Sequence, residues 1–218
     1  MKRIYLGCLL VISLMLAACG GLSEPEATTP TRVPMEVEAS ELGVQAPGQP
    51  IALLNELPFN LSLEVRSDST GWLAHGDSLA NLVSTDFALA NNGAVNWKVV
   101  EGLAGGFDRT CFSFESVDRP GEFLRHSDYR VRLAPDDGSE LFEQDATFCT
   151  RLSLDGGTDG GNLAAYSFES LNLPGYFLRA YFGQLWIARS GGPLPQDNAT
   201  TFAAEASWDF YRPFSGSQ

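Results

Sequence analysis

Residues 112–126, Phe112-Ser113-Phe114-Glu115-Ser116-Val117-Asp118-Arg119-Pro120-Gly121-Glu122-Phe123-Leu124-Arg125-His126, return as residues 166–180, Tyr166-Ser167-Phe168-Glu169-Ser170-Leu171-Asn172-Leu173-Pro174-Gly175-Tyr176-Phe177-Leu178-Arg179-Ala180. Each copy reads as a short strand, a Pro-Gly turn and a second strand. Two such copies predict a fold built from repeats, with the capacity for one ligand site per repeat. The copies part at their last residue, His126 against Ala180, so the sites are not equivalent.

A third, worn copy lies upstream. With Glu64 set on Glu115, the run from Ser62 to His75 aligns without a gap and places His75 on His126. Ser62, Ser113 and Ser167 open the copies at separations of 51 (113 − 62) and 54 (167 − 113). The ends correspond too: Asp145-Ala146-Thr147-Phe148 matches Glu205-Ala206-Ser207-Trp208, and Trp97 puts Ala94 at the acidic position of the first copy. Short runs rich in aromatic and β-branched residues predict an all-β chain of three units, over about 60–105, 110–157 and 164–212. Trp72, Phe123 and Phe177 share one equivalent position, and Trp97, Phe148 and Trp208 another, which is what a repeated core requires.

Lys2-Arg3, the apolar run Ile4 to Ala18 and the small residues before Cys19-Gly20 describe a secretion signal over 1–18, too short for a comfortable membrane span. Leu16-Ala17-Ala18-Cys19-Gly20 resembles a bacterial lipoprotein signal, which implies lipidation of Cys19 and an anchored, extracytoplasmic protein at the cell surface. Residues 19–50 are rich in Pro, Glu, Thr and Ala and read as a flexible, disordered stalk, leaving 51–214 as the globular domain. Cys111 and Cys149 remain as an even pair in an oxidising compartment. They are expected to form a disulfide that flanks the strands of the second unit.

Charge excludes some partners. With 27 Asp plus Glu against 14 Lys plus Arg, the formal net charge is −13, which repels nucleic acid and polyanionic glycans but not a neutral polymer. Two histidines and a wide Cys spacing argue against a metal site, and no cofactor is expected.

In the second copy, Tyr129, Val131 and Leu133 alternate with Arg130 and Arg132 as in a half-buried strand, and Asp136-Asp137-Gly138-Ser139 is a turn. Leu141-Phe142 reads as a short apolar return, and Asp145 as the opening of a further strand. His126 and Asp145, 19 residues apart (145 − 126), are therefore expected to reach one shallow depression. A carboxylate accepts two hydroxyl hydrogen bonds and an imidazole donates or accepts one. Tyr129, with Asp128 beside it, would offer an apolar ring face to a sugar.

These motifs, from Phe112-Ser113-Phe114-Glu115 through Leu124-Arg125-His126 to Asp145-Ala146-Thr147-Phe148-Cys149, resemble the arabinofuranose-binding AbfB domain, carbohydrate-binding module family 42, of α-L-arabinofuranosidases. The resemblance spans roughly Ile51 to Pro213 and implies a β-trefoil of three four-stranded repeats, each able to hold a terminal arabinofuranose of arabinoxylan or arabinan. It implies that a His and an Asp of one repeat grip the sugar hydroxyls, positions that match His126 and Asp145. His75 (opposite Ala94) and Glu205 (opposite Ala180) are weaker candidates in the other repeats. One such site nets a few hydrogen bonds, hence a Kd on the order of 0.1–1 mM.

Two other classes compete. Hydrolysis of arabinofuranosyl bonds would need paired carboxylates, and in family members that hydrolyse it resides in a separate catalytic domain, for which a thirty-residue stalk has no room. A structural or protein-binding trefoil with decayed sites is favoured by Ala94 and Ala180. The expectation is a monomeric, non-catalytic binder of arabinofuranose-bearing polysaccharide, held at the membrane by its N-terminal lipid.

Overall fold

Every copy of the repeat supplies four strands. The computed structural model describes residues 57–68, 70–105, 110–157 and 165–215. The signal peptide, Cys19 and the stalk lie outside the described residues. The first copy forms β1 (Phe59–Val65), β2 (Trp72–Gly76), β3 (Leu79–Val83) and β4 (Trp97–Glu101). The second forms β5 (Cys111–Ser116), β6 (Glu122–Ser127), β7 (Arg130–Pro135) and β8 (Phe148–Leu152). The third forms β9 (Tyr166–Ser170), β10 (Phe177–Tyr181), β11 (Gln184–Ala188) and β12 (Trp208–Tyr211). The chain is all-β in character, with only short helices between strands.

The outer strands of each copy pair with each other and with the next copy. β1 pairs with β4, β4 with β5, β5 with β8, β8 with β9, β9 with β12, and β12 returns to β1, all antiparallel. This six-strand ring leaves no free edge among its members. The inner strands form hairpins β2–β3, β6–β7 and β10–β11, which pair among themselves through β3–β7, β7–β11 and β11–β3. Each hairpin tip also accepts a backbone hydrogen bond from the next copy, Ser78 from Leu133, Tyr129 from Ile187 and Gly183 from Leu82.

The registers make the copies equivalent in space. His75 faces Ala80, His126 faces Val131 and Ala180 faces Leu185 across their hairpins. The tips are two-residue turns with positive φ at both positions: Asp77 and Ser78, Asp128 and Tyr129, Phe182 and Gly183. Tyr129 is therefore a turn residue, and the strand predicted to include it starts at Arg130. The inward alternation of Val131 and Leu133 holds.

Trp97, Phe148 and Trp208 are fully buried in the main core, where Phe114 and Phe168 meet edge to face at 5.1 Å. The indole N–H of Trp97 donates to the Leu73 carbonyl and that of Trp208 to the equivalent Leu178 carbonyl, both at 3.1 Å. Trp72, Phe123 and Phe177 instead nucleate three satellite clusters, each under the helices of its own copy. Those helices are α1 (Thr85–Ala90) and α2 (Asn92–Val95) in the first copy, α3 (Glu140–Asp145) in the second and α4 (Phe202–Glu205) in the third.

The helices correct one reading of the sequence. The apolar return Leu141-Phe142 lies in α3, and Asp145 ends that helix instead of opening a strand. The Ser139 hydroxyl accepts from the Phe142 amide, and Glu140 and Glu143 sit in the first turn, where the helix dipole favours acids. Cys111 and Cys149 form the expected disulfide, but as directly facing residues within β5 and β8 and not as flanks of them.

Candidate functional site

In the second and third copies a Ser-x-Asp/Asn segment at the end of the first strand reaches back to the histidine of the preceding copy. Ser116 and Asp118 come to His75, and Ser170 and Asn172 come to His126. The polar clusters thus lie at junctions between copies, since β4–β5 and β8–β9 pairing brings each copy's first turn against its predecessor.

At the second junction His126 and Asp145 face each other, Nε2 to Oδ1 3.4 Å, and both are about 95% buried at 5% residual exposure. His126 Nε2 lies 2.9 Å from Asn172 Oδ1 and 3.1 Å from Ser170 Oγ. The Asn172 amide donates to Asp145 Oδ1 at 2.7 Å, which makes its carbonyl oxygen the acceptor for the imidazole N–H. Arg125 donates to Asp145 Oδ2 at 2.5 Å, and its guanidinium lies over the Phe142 ring. Burial holds the His126 pKa below its ordinary 6.5 and the Arg125 charge adds to this, while Asn172 and the Asp145 charge oppose it.

The other predicted residues fall elsewhere. Tyr129 stacks on Tyr176 of the next copy, centroids 5.5 Å apart, and packs against the main core. Asp128 is exposed at the hairpin tip. Glu205 receives two bonds from Arg179, whose side chain is fully buried between the Tyr181 and Phe202 rings and also donates to the Gln196 and Asn198 carbonyls. The third copy's acid is thus held by its own arginine, as Asp145 is by Arg125, but with the Arg179 side chain fully buried. At the matching third junction, Ala180 takes the place of His126 and Val65 that of Ser170, and both belong to the main core.

Sequence reasoning missed Arg125, Ser170 and Asn172. Their signal was present in the repeat, since Arg125 recurs as Arg179 and Ser116 as Ser170. Their contact with His126 and Asp145 was not, because two of them belong to the next copy. Among the described residues, no group of three His, Cys, Asp or Glu side chains is placed to hold a metal ion.

An all-β ring of three related units, with polar clusters at two of the three junctions, defines a repeat-built β domain. The family profile of the α-L-arabinofuranosidase B (ABFB) domain matches residues 62–210, and the chain belongs to that family. The chain is 33% identical over 187 residues to α-L-arabinofuranosidase B of Emericella nidulans, covering 84% of this chain and 36% of that protein. It is 36% identical over 142 residues to α-L-arabinofuranosidase of Hypocrea jecorina, covering 64% of this chain and 26% of that protein. A crystal structure of an arabinofuranosidase complexed with arabinofuranosyl-α-1,2-xylobiose superimposes with a TM-score of 0.65 at 32% identity, over 77% of this chain and 33% of that one. The chain thus spans about a third of the length of the first of these relatives, and both are fungal.

Proposed function

We propose that residues 51–214 form a β-trefoil carbohydrate-binding module of family 42 that holds α-L-arabinofuranosyl side chains without cutting them. The observation that carries this reading is the second junction, where His126, Asp145, Arg125 and Asn172 converge in a domain of the arabinofuranosidase B family. The closed ring and the three mutually paired hairpins support the trefoil. One carboxylate, one imidazole, one guanidinium and one amide suit recognition of hydroxyls. Hydrolysis needs two carboxylates across a glycosidic bond, and at this junction Asp145 already has a protein donor on each oxygen. The N-terminal sequence supports a bacterial lipoprotein whose anchor at Cys19 would present a monomeric module at the cell surface to arabinoxylan or arabinan.

Affinity electrophoresis through arabinoxylan tests the proposal. The native protein should be retarded, and Asp145→Ala or His126→Ala should lose most of that retardation, about tenfold or more in affinity. Unchanged migration of both variants would remove the assignment. A second reading, that the chain takes part in arabinofuranoside hydrolysis, draws on the named activity of its relatives. Reducing-sugar release from arabinoxylan by the purified chain would favour it.

A further inference from the structure

Where the three hairpins meet, one arginine holds all of them. Ala80, Val131 and Leu185 are buried and share one register position, opposite His75, His126 and Ala180. Their three carbonyls converge on Arg130 Nη1, which donates to them at 2.7, 2.9 and 2.5 Å. Nη2 donates to Asn81 Oδ1 at 2.7 Å, and the guanidinium lies over the Trp186 ring, 5.2 Å from its centroid. Leu79 and Gln184 fill the position of Arg130 in the other copies, so a single copy supplies the cation.

The outer face of this hairpin triplet is basic. Alternation with buried Val131 and Leu133 turns both Arg130 and Arg132 outward. Across the strand pairs Arg130 meets Trp186, Arg132 meets Leu79 and Gln184 meets Asn81. Arg66, Lys98, Arg125, Arg151 and Arg179 are each paired with a carboxylate, whereas no carboxylate among the described residues pairs with Arg130 or Arg132. Asp77 and Asp128, at the hairpin tips, stand exposed and bond to neither. Arg132 Nε is buried and has no partner among the described residues, an arrangement that a bound acceptor would relieve. Burial, and then the charge of Arg132, hold the Arg130 pKa below its ordinary value, so two cations stand together without an anion to offset them. In a chain of formal charge −13 this is a local reversal of sign. Guanidinium forks match the two oxygens of a carboxylate, and the part-exposed Trp186 ring offers an apolar face to a sugar's C–H edge. The acidic surroundings turn away a polyanion, so the fitting ligand carries its carboxylate singly.

We propose that the outer face of the hairpin triplet is an anion site, in which Arg132 and Arg130 receive the carboxylate of a single uronosyl group on an otherwise neutral glycan. It lies where all three copies meet, apart from the junctions, and takes a different chemical group. That the carboxylate belongs to a sugar rests on the function proposed above; the anion site itself rests on the two arginines. The test is a titration of the full chain with methyl β-D-glucopyranosiduronate, with methyl β-D-glucopyranoside as the neutral control, followed through backbone amide and indole N–H shifts. The uronoside should move the amides of Arg130, Arg132 and Gln184 and the indole of Trp186, and the neutral sugar should not. Raising sodium chloride from about 20 to about 500 mM should weaken the uronoside several-fold. Arg132→Gln, whose side chain leaves no described partner behind, should raise the uronoside Kd about tenfold. The same variant should keep native shifts around Asp145 and Asn172 with methyl α-L-arabinofuranoside. No movement at the triplet, equal movement by both pyranosides, or a uronoside Kd indifferent to Arg132→Gln would overturn the anion site and leave the arabinofuranosyl reading intact. Tighter binding of the acidic peptide acetyl-Glu-Glu-Glu-amide than of the uronoside would overturn the sugar as ligand. Shifts at the triplet with none around Asp145 in the arabinofuranoside titration would uphold the anion site and overturn the other reading.

Discussion

His126 shows how much a neighbour decides. Its chemistry as an imidazole is plain from the sequence, but its state follows from burial and from Arg125, which together depress its pKa below 6.5. In the unfolded chain the imidazole takes up a proton on acidification before the folded one does. Stability is therefore full above about pH 6.5 and declines as pH falls from there toward the folded pKa. Chemical denaturation at about pH 7.5 and 5.5 should show a smaller loss on acidification for His126→Gln than for the native protein. An equal loss in the two proteins would mean that burial does not govern this group. His126 and Asp145 were legible as a pair and do face each other, whereas Tyr129 is occupied by Tyr176 and Asp128 stands exposed at a turn.

The strands were largely legible as elements, because alternation such as Val131 and Leu133 between Arg130 and Arg132 reports two faces directly. The helices were not, since six residues or fewer show less than two turns of helical period. Their caps were the available signal. Ser139 before Glu140 and Ser84 before Thr85 each accept from an amide three residues on. Because α3 carries both Phe142 into its cluster and Asp145 to Arg125, its cap should matter beyond the helix. Ser139→Ala is expected to cost about 1 kcal/mol, measured by urea denaturation. A change under about 0.3 kcal/mol would show that packing of Phe142 alone holds the helix.

For the whole molecule the consequence of closure is cooperativity. β12 pairs with β1, and each hairpin tip bonds to the next copy, so no copy completes its hydrogen bonding alone. Unfolding should be a single transition, seen together by far-ultraviolet circular dichroism and by fluorescence of Trp97 and Trp208 in the first and third copies. Two separated transitions would mean that the copies are independent units. The Cys111–Cys149 disulfide adds a loop constraint within the second copy worth about 4 kcal/mol on the chain-entropy view.

What could be read along the chain was what recurs from copy to copy, namely strand order and the core positions of Trp97, Phe148 and Trp208, together with the cysteine pair of the second copy and the family itself. Recurrence exposes the first two because equivalent environments demand similar side chains. The pairing of His75 with Asp118 and of His126 with Asn172 was decided by closure of the ring, which sets residues 43 and 46 positions apart side by side. A periodic pattern records which face a residue occupies, but only the register between copies determines which neighbour that face meets.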